Sequence, residues 1–124
     1  MMSINKDHLS EEEIEVTQNC GTEPPFSGKL LYEKREGIYK CIVCNNKLFD
    51  SDKKFDSGTG WPSFYDVIGE TVTTKEDNSL GMKRIEINCK NCNSHLGHIF
   101  NDGPTPTGLR YCVNSLSLGF DPVE

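Results

Sequence analysis

The chain contains no alanine, a single tryptophan and only three histidines in 124 residues. With the best helix former missing, and with 11 Gly and 6 Pro present, the composition excludes a helical bundle and favours short strands joined by turns. No segment approaches the roughly 18 consecutive apolar residues of a membrane span, and Met1 to Leu9 lacks the apolar stretch of a secretory leader. Positive charge is scarce as well: 13 Lys and Arg face 19 Asp and Glu, for a formal net charge of −6. Without a basic stripe the surface suits neither phosphate backbones nor anionic lipid, so no nucleic acid and no membrane is expected as a partner. A reducing, cytoplasmic location follows as the default.

The length is that of one domain, enough to bury about two-thirds of the surface its unfolded chain exposes. We expect a flexible N-terminus over residues 1–9, a single domain over residues 10–124, and a monomer. Apolar content is lean, at 35%, so a metal cross-link would help the core.

Ser10-Glu11-Glu12-Glu13 has the form of a capping box with an acidic first turn, predicting a short helix from about Glu11 to Gln18. An acidic partner-binding patch is the other reading of that run. Thr22 to Gly28, with Pro24 and Pro25, must then be irregular. Beyond Gly37 the pattern predicts short β segments: Ile38 to Ile42, Leu48 to Phe49, Thr71 to Thr74, Met82 to Asn88, Leu96 to Phe100, Leu109 to Asn114 and Leu116 to Phe120. Glu76 to Ser79 would close a hairpin. Ile85 and Ile87 alternate with Arg84 and Glu86, as in an antiparallel strand with one solvated face. The fold class is mainly β, antiparallel sheets forming a sandwich or barrel-like core.

The six cysteines divide into two Cys-x-x-Cys pairs, Cys41 with Cys44 and Cys89 with Cys92, plus Cys20 and Cys112. Two knuckles fit a closed tetrahedral zinc site that stabilises a fold and does no chemistry. The 44 residues between the pairs exceed a simple ribbon, which puts the knuckles on two hairpins brought together by the fold. A thioredoxin-like redox pair is the competing reading, but needs a βαβ context absent here. A zinc deaminase needs His-x-Glu and Pro-Cys-x-x-Cys, whereas His95 is followed two later by Gly97 and Cys89 is preceded by Asn88.

Cys112 sits in Arg110-Tyr111-Cys112-Val113-Asn114, where a period of two puts Arg, Cys and Asn on one face. A cation and a hydrogen-bonding neighbour beside a thiol favour a reactive thiolate. His95-Leu96-Gly97-His98 offers two imidazoles, each either a structural hydrogen bonder or a catalyst. Trp61 lies in Gly58-Thr59-Gly60-Trp61-Pro62-Ser63-Phe64. It is either core or, held on a Gly/Pro turn, the wall of a small apolar pocket.

These residues, with Thr17-Gln18, Gly21-Thr22-Glu23-Pro24-Pro25-Phe26, His95-Leu96-Gly97-His98-Ile99-Phe100 and Arg110-Tyr111-Cys112-Val113-Asn114-Ser115, resemble the methionine-R-sulfoxide reductases, the B type of methionine sulfoxide reductase. The resemblance covers most of the chain. It implies a mostly antiparallel β fold with small N-terminal helices, one structural zinc, and reduction of the R epimer of methionine sulfoxide, free or in proteins. It further implies Cys112 as nucleophile in a pocket of Trp61, His95, His98, Arg110 and Asn114, with Trp61 and Phe100 against the substrate. His98, assisted by His95 and Asn114, would protonate the departing oxygen. A sulfenic acid on Cys112 would be regenerated through a disulfide by a thioredoxin-like donor. One departure stands out: family members often carry the resolving cysteine at the position of Thr59. Cys20 is then either the resolving thiol or a small buried hydrophobe. A zinc-stabilised binding module with a structural Cys112, and a Cys/His hydrolase or acyltransferase, are the readings from other function classes.

Overall fold

The computed structural model describes residues 6–78, 81 and 83–123. Ser10 opens helix α1, Glu11–Asn19. Its Oγ accepts the Glu13 N–H at 3.1 Å while Glu13 Oε1 accepts the Ser10 N–H at 2.8 Å, so the capping box forms as the sequence predicts. Helix-start chemistry therefore accounts for the acidic run. The helix buries Val16 and Thr17 and reaches over to Ser94 Oγ through Gln18 Nε2, at 3.0 Å. Within the stretch expected to be flexible, Leu9 belongs to the core cluster and His8 Nε2 lies 2.7 Å from the Ile42 carbonyl oxygen. Residues 1–5 lie outside the described residues.

Among the described residues nine strands follow: β1 Gly37–Cys41, β2 Lys47–Asp50, β3 Lys54–Phe55, β4 Ser63–Phe64, β5 Val72–Asp77, β6 Arg84–Cys89, β7 His95–Phe100, β8 Arg110–Val113 and β9 Leu118–Pro122. They form a three-stranded sheet, β2-β1-β9, and a six-stranded sheet, β3-β4-β8-β7-β6-β5, with every pairing antiparallel. The mainly β, antiparallel architecture is the expected one; α1 is the one α-helix among the described residues. Ser79, at the end of the expected hairpin turn, and Met82, the first residue of the strand expected over Met82 to Asn88, lie outside those residues. No helix among the described residues is long and apolar enough to cross a membrane.

Side chains from both sheets meet in one core that includes Tyr39, Leu48, Phe49, Phe64, Ile87, Leu96, Tyr111 and Val113. The Phe49 and Phe64 rings stack with centroids 4.3 Å apart, and Tyr39 meets Phe64 edge-on at 5.0 Å. On β8, Tyr111 and Val113 are buried in this core and Arg110 and Cys112 are half-buried. That is the period-two alternation predicted for the Cys112 strand.

Two expectations change. The last strand starts at Leu118 and not at Leu116, because Ser115–Ser117 forms a 3-10 turn whose Leu116 N–H is taken by Glu23 Oε1 at 2.8 Å. On β6 the face assigned to water carries a buried residue: Glu86 is 6% exposed, whereas Ile85 on the other face is 36% exposed. Glu86 is covered because His95 and the end of α1 lie over it.

Candidate active site and metal centre

The two knuckles end up side by side because each opens a hairpin turn, one after β1 and one after β6, and both have the same backbone. Asn45 N–H bonds the Cys41 carbonyl at 2.9 Å and Asn93 N–H bonds that of Cys89 at 2.7 Å. Both asparagines are left-handed, with φ of 67° and 63°, a conformation Asn tolerates better than most residues. The four sulfurs converge within 4.8 Å of one another, with Cys41 to Cys92 and Cys44 to Cys89 at 3.6 Å. A tetrahedral ion with metal–sulfur bonds of about 2.3 Å needs sulfurs about 3.8 Å apart, so the donor set and spacing fit. Hydrogen bonds from Cys41 and Cys92 pull the Cys89 thiol far down, and donating to Cys89 pushes Cys41 far up. Bare sulfurs at this spacing share protons; four thiolates need a cation.

The catalytic candidates gather on the six-stranded sheet. Register pairs Cys112 with Ser63 of β4 on one side and His98 of β7 on the other. His95 and His98 are three apart, and on a regular strand they would point to opposite faces. The register runs Glu86 to His98, Ile87 to Gly97, then Asn88 to His95, so Leu96 is an extra residue in β7. This bulge rephases the strand and puts both imidazoles on one face, with ring centroids 5.6 Å apart. Asn114 pins the bulge: its backbone N–H and its Nδ2 both donate to the Leu96 carbonyl, at 2.9 and 3.2 Å.

Trp61 is held by the turn that the sequence suggested. Gly58 and Gly60 are left-handed, with φ of 74° and 94°, so Thr59 is presented between two positions where glycine is favoured. A Cβ on Gly60 would lie 2.7 Å from Pro25 Cβ, and the Gly60 carbonyl accepts the Phe26 N–H at 2.7 Å. The irregular Pro24-Pro25 segment is thereby clamped on the turn, and the Glu23 carbonyl accepts Trp61 Nε1 at 2.9 Å. Trp61, His98, Phe100, Cys112 and Asn114 line one cavity of about 90 Å³. Arg110 stands over the Phe100 ring with its guanidinium carbon 4.3 Å from the centroid, and His95 is one layer back, at 3% exposure.

Cys112 is held above the ordinary thiol value by burial, which outweighs the opposing pull of Arg110 and a hydrogen bond from Thr59. The sequence suggested the cation and missed the burial. Arg110 is also committed elsewhere, its Nε and Nη2 gripping Asp102 at 2.8 and 3.1 Å. Three further carboxylates that sequence reasoning did not place complete the site. Glu86 Oε2 lies 2.6 Å from His95 Nδ1, and Asp77 Oδ2 lies 2.8 Å from His98 Nε2. Glu23 is 2% exposed, gives its N–H to Asn114 Oδ1 at 3.1 Å, and has its carboxyl pushed up by burial. Burial also pushes His95 down, against the pull of Glu86. Only Asp102 had a usable cue, since it follows β7 in the hairpin that leads to Arg110.

Cys20 lies apart from this cavity. It ends α1 in a left-handed conformation, φ 57°, and its thiol donates to Glu86 Oε2 at 3.8 Å. It is exposed, so it is not the small buried hydrophobe that was one of its two expected roles.

The SelR domain matches this chain over residues 9–122. The chain belongs to the SelR domain family. The peptide methionine sulfoxide reductase MsrB of Methanosarcina mazei is 59% identical to it over 120 residues, covering 96% of this chain and 86% of that protein. The protein of the same name from Escherichia coli strain K12 is also 59% identical over 120 residues, covering 96% and 88%. In the SelR chain described here, the knuckles, the Trp61 turn, the β7 bulge and the Cys112 strand all lie inside the matched span.

Proposed function

We propose that the chain reduces methionine-R-sulfoxide, in proteins or free, to methionine, with Cys112 as the nucleophile. One observation carries the reading: the Cys112 thiol, the His98 imidazole and the Trp61 ring line a single small cavity in a chain 59% identical to proteins named peptide methionine sulfoxide reductase. Trp61 holds the S-methyl group through a sulfur–aromatic contact, and Phe100 closes the wall beside it. Because burial favours the neutral thiol, the thiolate forms once the sulfoxide is seated, its proton passing to the His98 imidazole and its charge then supported by Arg110 and Thr59. The thiolate attacks the sulfoxide sulfur while His98 gives a proton to the oxygen. Asp77 fixes the His98 ring, and His95 and Asn114 hold the strand that carries it. Oxygen passes to Cys112; the sulfoxide gains two electrons and leaves as methionine, and Cys112 becomes a sulfenic acid.

Regeneration runs through Cys20. Its thiol condenses with the Cys112 sulfenic acid, releasing water and forming a disulfide, which a thioredoxin-like dithiol reduces. In support, Cys20 and Cys112 line two cavities that share Thr22, Arg84 and His98, and Thr59 occupies the place where family members often carry the resolving thiol. The ion of the four-thiolate cluster is zinc, one per monomer; it supplies a structural cross-link and takes no part in the reaction. A reducing compartment such as the cytoplasm suits both the thiols and the donor.

The experiment is a single turnover with a peptide carrying methionine-R-sulfoxide, followed by mass analysis of product and protein. Methionine should form one for one with oxidation of Cys112, and Cys112→Ser should yield none. In Cys20→Ser, oxidation should stop at the sulfenic acid. Methionine produced at the native rate by Cys112→Ser would overturn the nucleophile assignment, and native thioredoxin-coupled cycling in Cys20→Ser would overturn the role of Cys20.

A further inference from the structure

Next to the Trp61 cavity, and sharing His98 with it, lies a larger one, about 460 Å³, whose lining includes Cys20, Asp77, Arg84, Glu86, His95 and His98. Three metal-binding side chains of different chemistry converge there: ligand atoms of Cys20, Glu86 and His95 all lie within 4.8 Å of one another. They come from three elements, the end of α1, strand β6 and strand β7, so only the tertiary fold brings them together. Glu86 and His95 are 6% and 3% exposed, while Cys20 is exposed at the rim. Glu86 Oε2 is the hub, 3.8 Å from Cys20 Sγ and 2.6 Å from His95 Nδ1. His95 Nε2 is buried with no hydrogen-bond partner among the described residues, so the ring proton can sit there and leave Nδ1 as a lone-pair donor without breaking another bond.

We propose that Cys20, Glu86 and His95 form a second metal site, for an exchangeable divalent ion of zinc's class. A thiolate, a carboxylate and an imidazole are the donor mixture such an ion takes, whereas calcium and magnesium require oxygen ligands. Binding removes one proton, that of the Cys20 thiol, while the ring proton of neutral His95 moves from Nδ1 to Nε2. The two charges of the ion are then cancelled by the thiolate and the carboxylate, as a largely buried site requires. Three protein ligands leave a fourth position toward the open cavity, so the ion exchanges with solvent, unlike one enclosed by four thiolates. Resting on the proposed reaction, one consequence follows: an ion here ties up both Cys20 and His95 and holds turnover in check until it leaves.

The test uses the full chain with one zinc in its four-thiolate cluster, reduced by a phosphine and titrated with Co²⁺. A second equivalent should bind with a near-ultraviolet sulfur-to-cobalt charge-transfer band while the first zinc is retained. Cys20→Ser should lose that band, and Cys20→Ser and Glu86→Gln should each weaken the second equivalent by at least about tenfold, the least that disturbing a metal site costs. In the unmutated chain the second equivalent should also protect Cys20 from maleimide, read by peptide mass. Absence of a second equivalent, equal binding by Cys20→Ser, or labelling of Cys20 unchanged by metal would each overturn the site. None of these readouts involves sulfoxide turnover, so they succeed or fail separately from the proposed activity.

Discussion

Gly97→Ala tests whether the β7 bulge and the β8 thiol are set by one close backbone approach. A Cβ at Gly97 would stand 1.9 Å from the Cys112 carbonyl oxygen and 3.0 Å from the Cys112 carbonyl carbon. A carbon–oxygen contact needs about 3.3 Å, so β7 and β8 must part by about 1.4 Å. Both neighbours in the collision are backbone, which cannot swing aside. Parting the strands strains the two bonds from Asn114 to the Leu96 carbonyl and opens the core beneath Leu96 and Val113, both buried. Two lost hydrogen bonds at about 1 kcal/mol each and a small cavity sum to about 3 to 4 kcal/mol. For a domain of this size the melting temperature should fall by about 10 to 15 °C. Below the melt, displacement of His98 from Cys112 should cut single-turnover methionine formation by at least about tenfold. Gly69→Ala is the control: its Cβ meets nothing within 4 Å, so only left-handed strain of about 1 kcal/mol remains. Thermal melts by circular dichroism give the first quantity and product analysis the second. A Gly97→Ala protein melting within about 3 °C of the parent and turning over at the native rate would refute the reasoning.

Removing the metal with a strong chelator, or substituting Cys44→Ser, should unfold the chain, because structural zinc contributes on the order of 10 kcal/mol; a folded, metal-free Cys44→Ser protein would contradict this. Cys112 alkylation by iodoacetamide should keep accelerating beyond pH 9.0, since burial raises the thiol above that value, and a plateau below about pH 8 would count against it. His95 is lowered from 6.5 by burial, so the unfolded chain takes up a proton that the fold refuses. Its contribution to stability is present above pH 6.5 and lost as pH falls through the lower folded value; in urea melts His95→Gln should flatten that acid limb, and an unchanged slope argues otherwise. Glu23→Ala leaves the half-buried Leu116 N–H without its acceptor and a hole beside Gly28, costing about 3 kcal/mol, whereas Glu23→Gln keeps an acceptor and should cost under about 1 kcal/mol.

Local chemistry made most of the frame legible. The capping box set the start of α1, and the spacing of Cys41, Cys44, Cys89 and Cys92 announced two knuckles on separate hairpins. Alternation around Cys112 put Arg110 and Cys112 on one face, and the structure buries Tyr111 and Val113 on the other. What escaped was either too short to show a period or depended on a distant partner. Strands β3 and β4 have two residues each, below any detectable alternation. The Ser115–Ser117 turn interrupts an apolar run because a carboxylate more than ninety residues earlier captures its N–H. The Leu96 bulge leaves no mark in the sequence beyond a histidine spacing that is wrong for a flat strand. Gly97 was visible, but the reason for it, a collision with another strand, was not.

The carboxylates show the same limit from the side of function. Sequence reasoning selected Cys112, His95, His98, Arg110 and Trp61 by residue type and by resemblance, and assigned the acidic residues to helix caps and solvent. In the fold three of these groups have their own acid, Glu86 for His95, Asp77 for His98 and Asp102 for Arg110, while Glu23 holds Trp61 and Asn114 through its backbone. Two of the four, Glu86 and Glu23, are nearly inaccessible, where an unpaired carboxylate would be expensive. Glu86 is stabilised by the imidazole it orients, so positioning and solvation are one interaction; the Glu23 carboxyl is held instead by the Leu116 N–H. The pairs are set by strand register, and a one-residue slip of β6 against β7 would turn Glu86 to the core face and Ile87 to the histidines. The bulge and the Asn114 bonds that fix that register therefore govern the chemistry without touching the substrate, and only folding the chain reveals them.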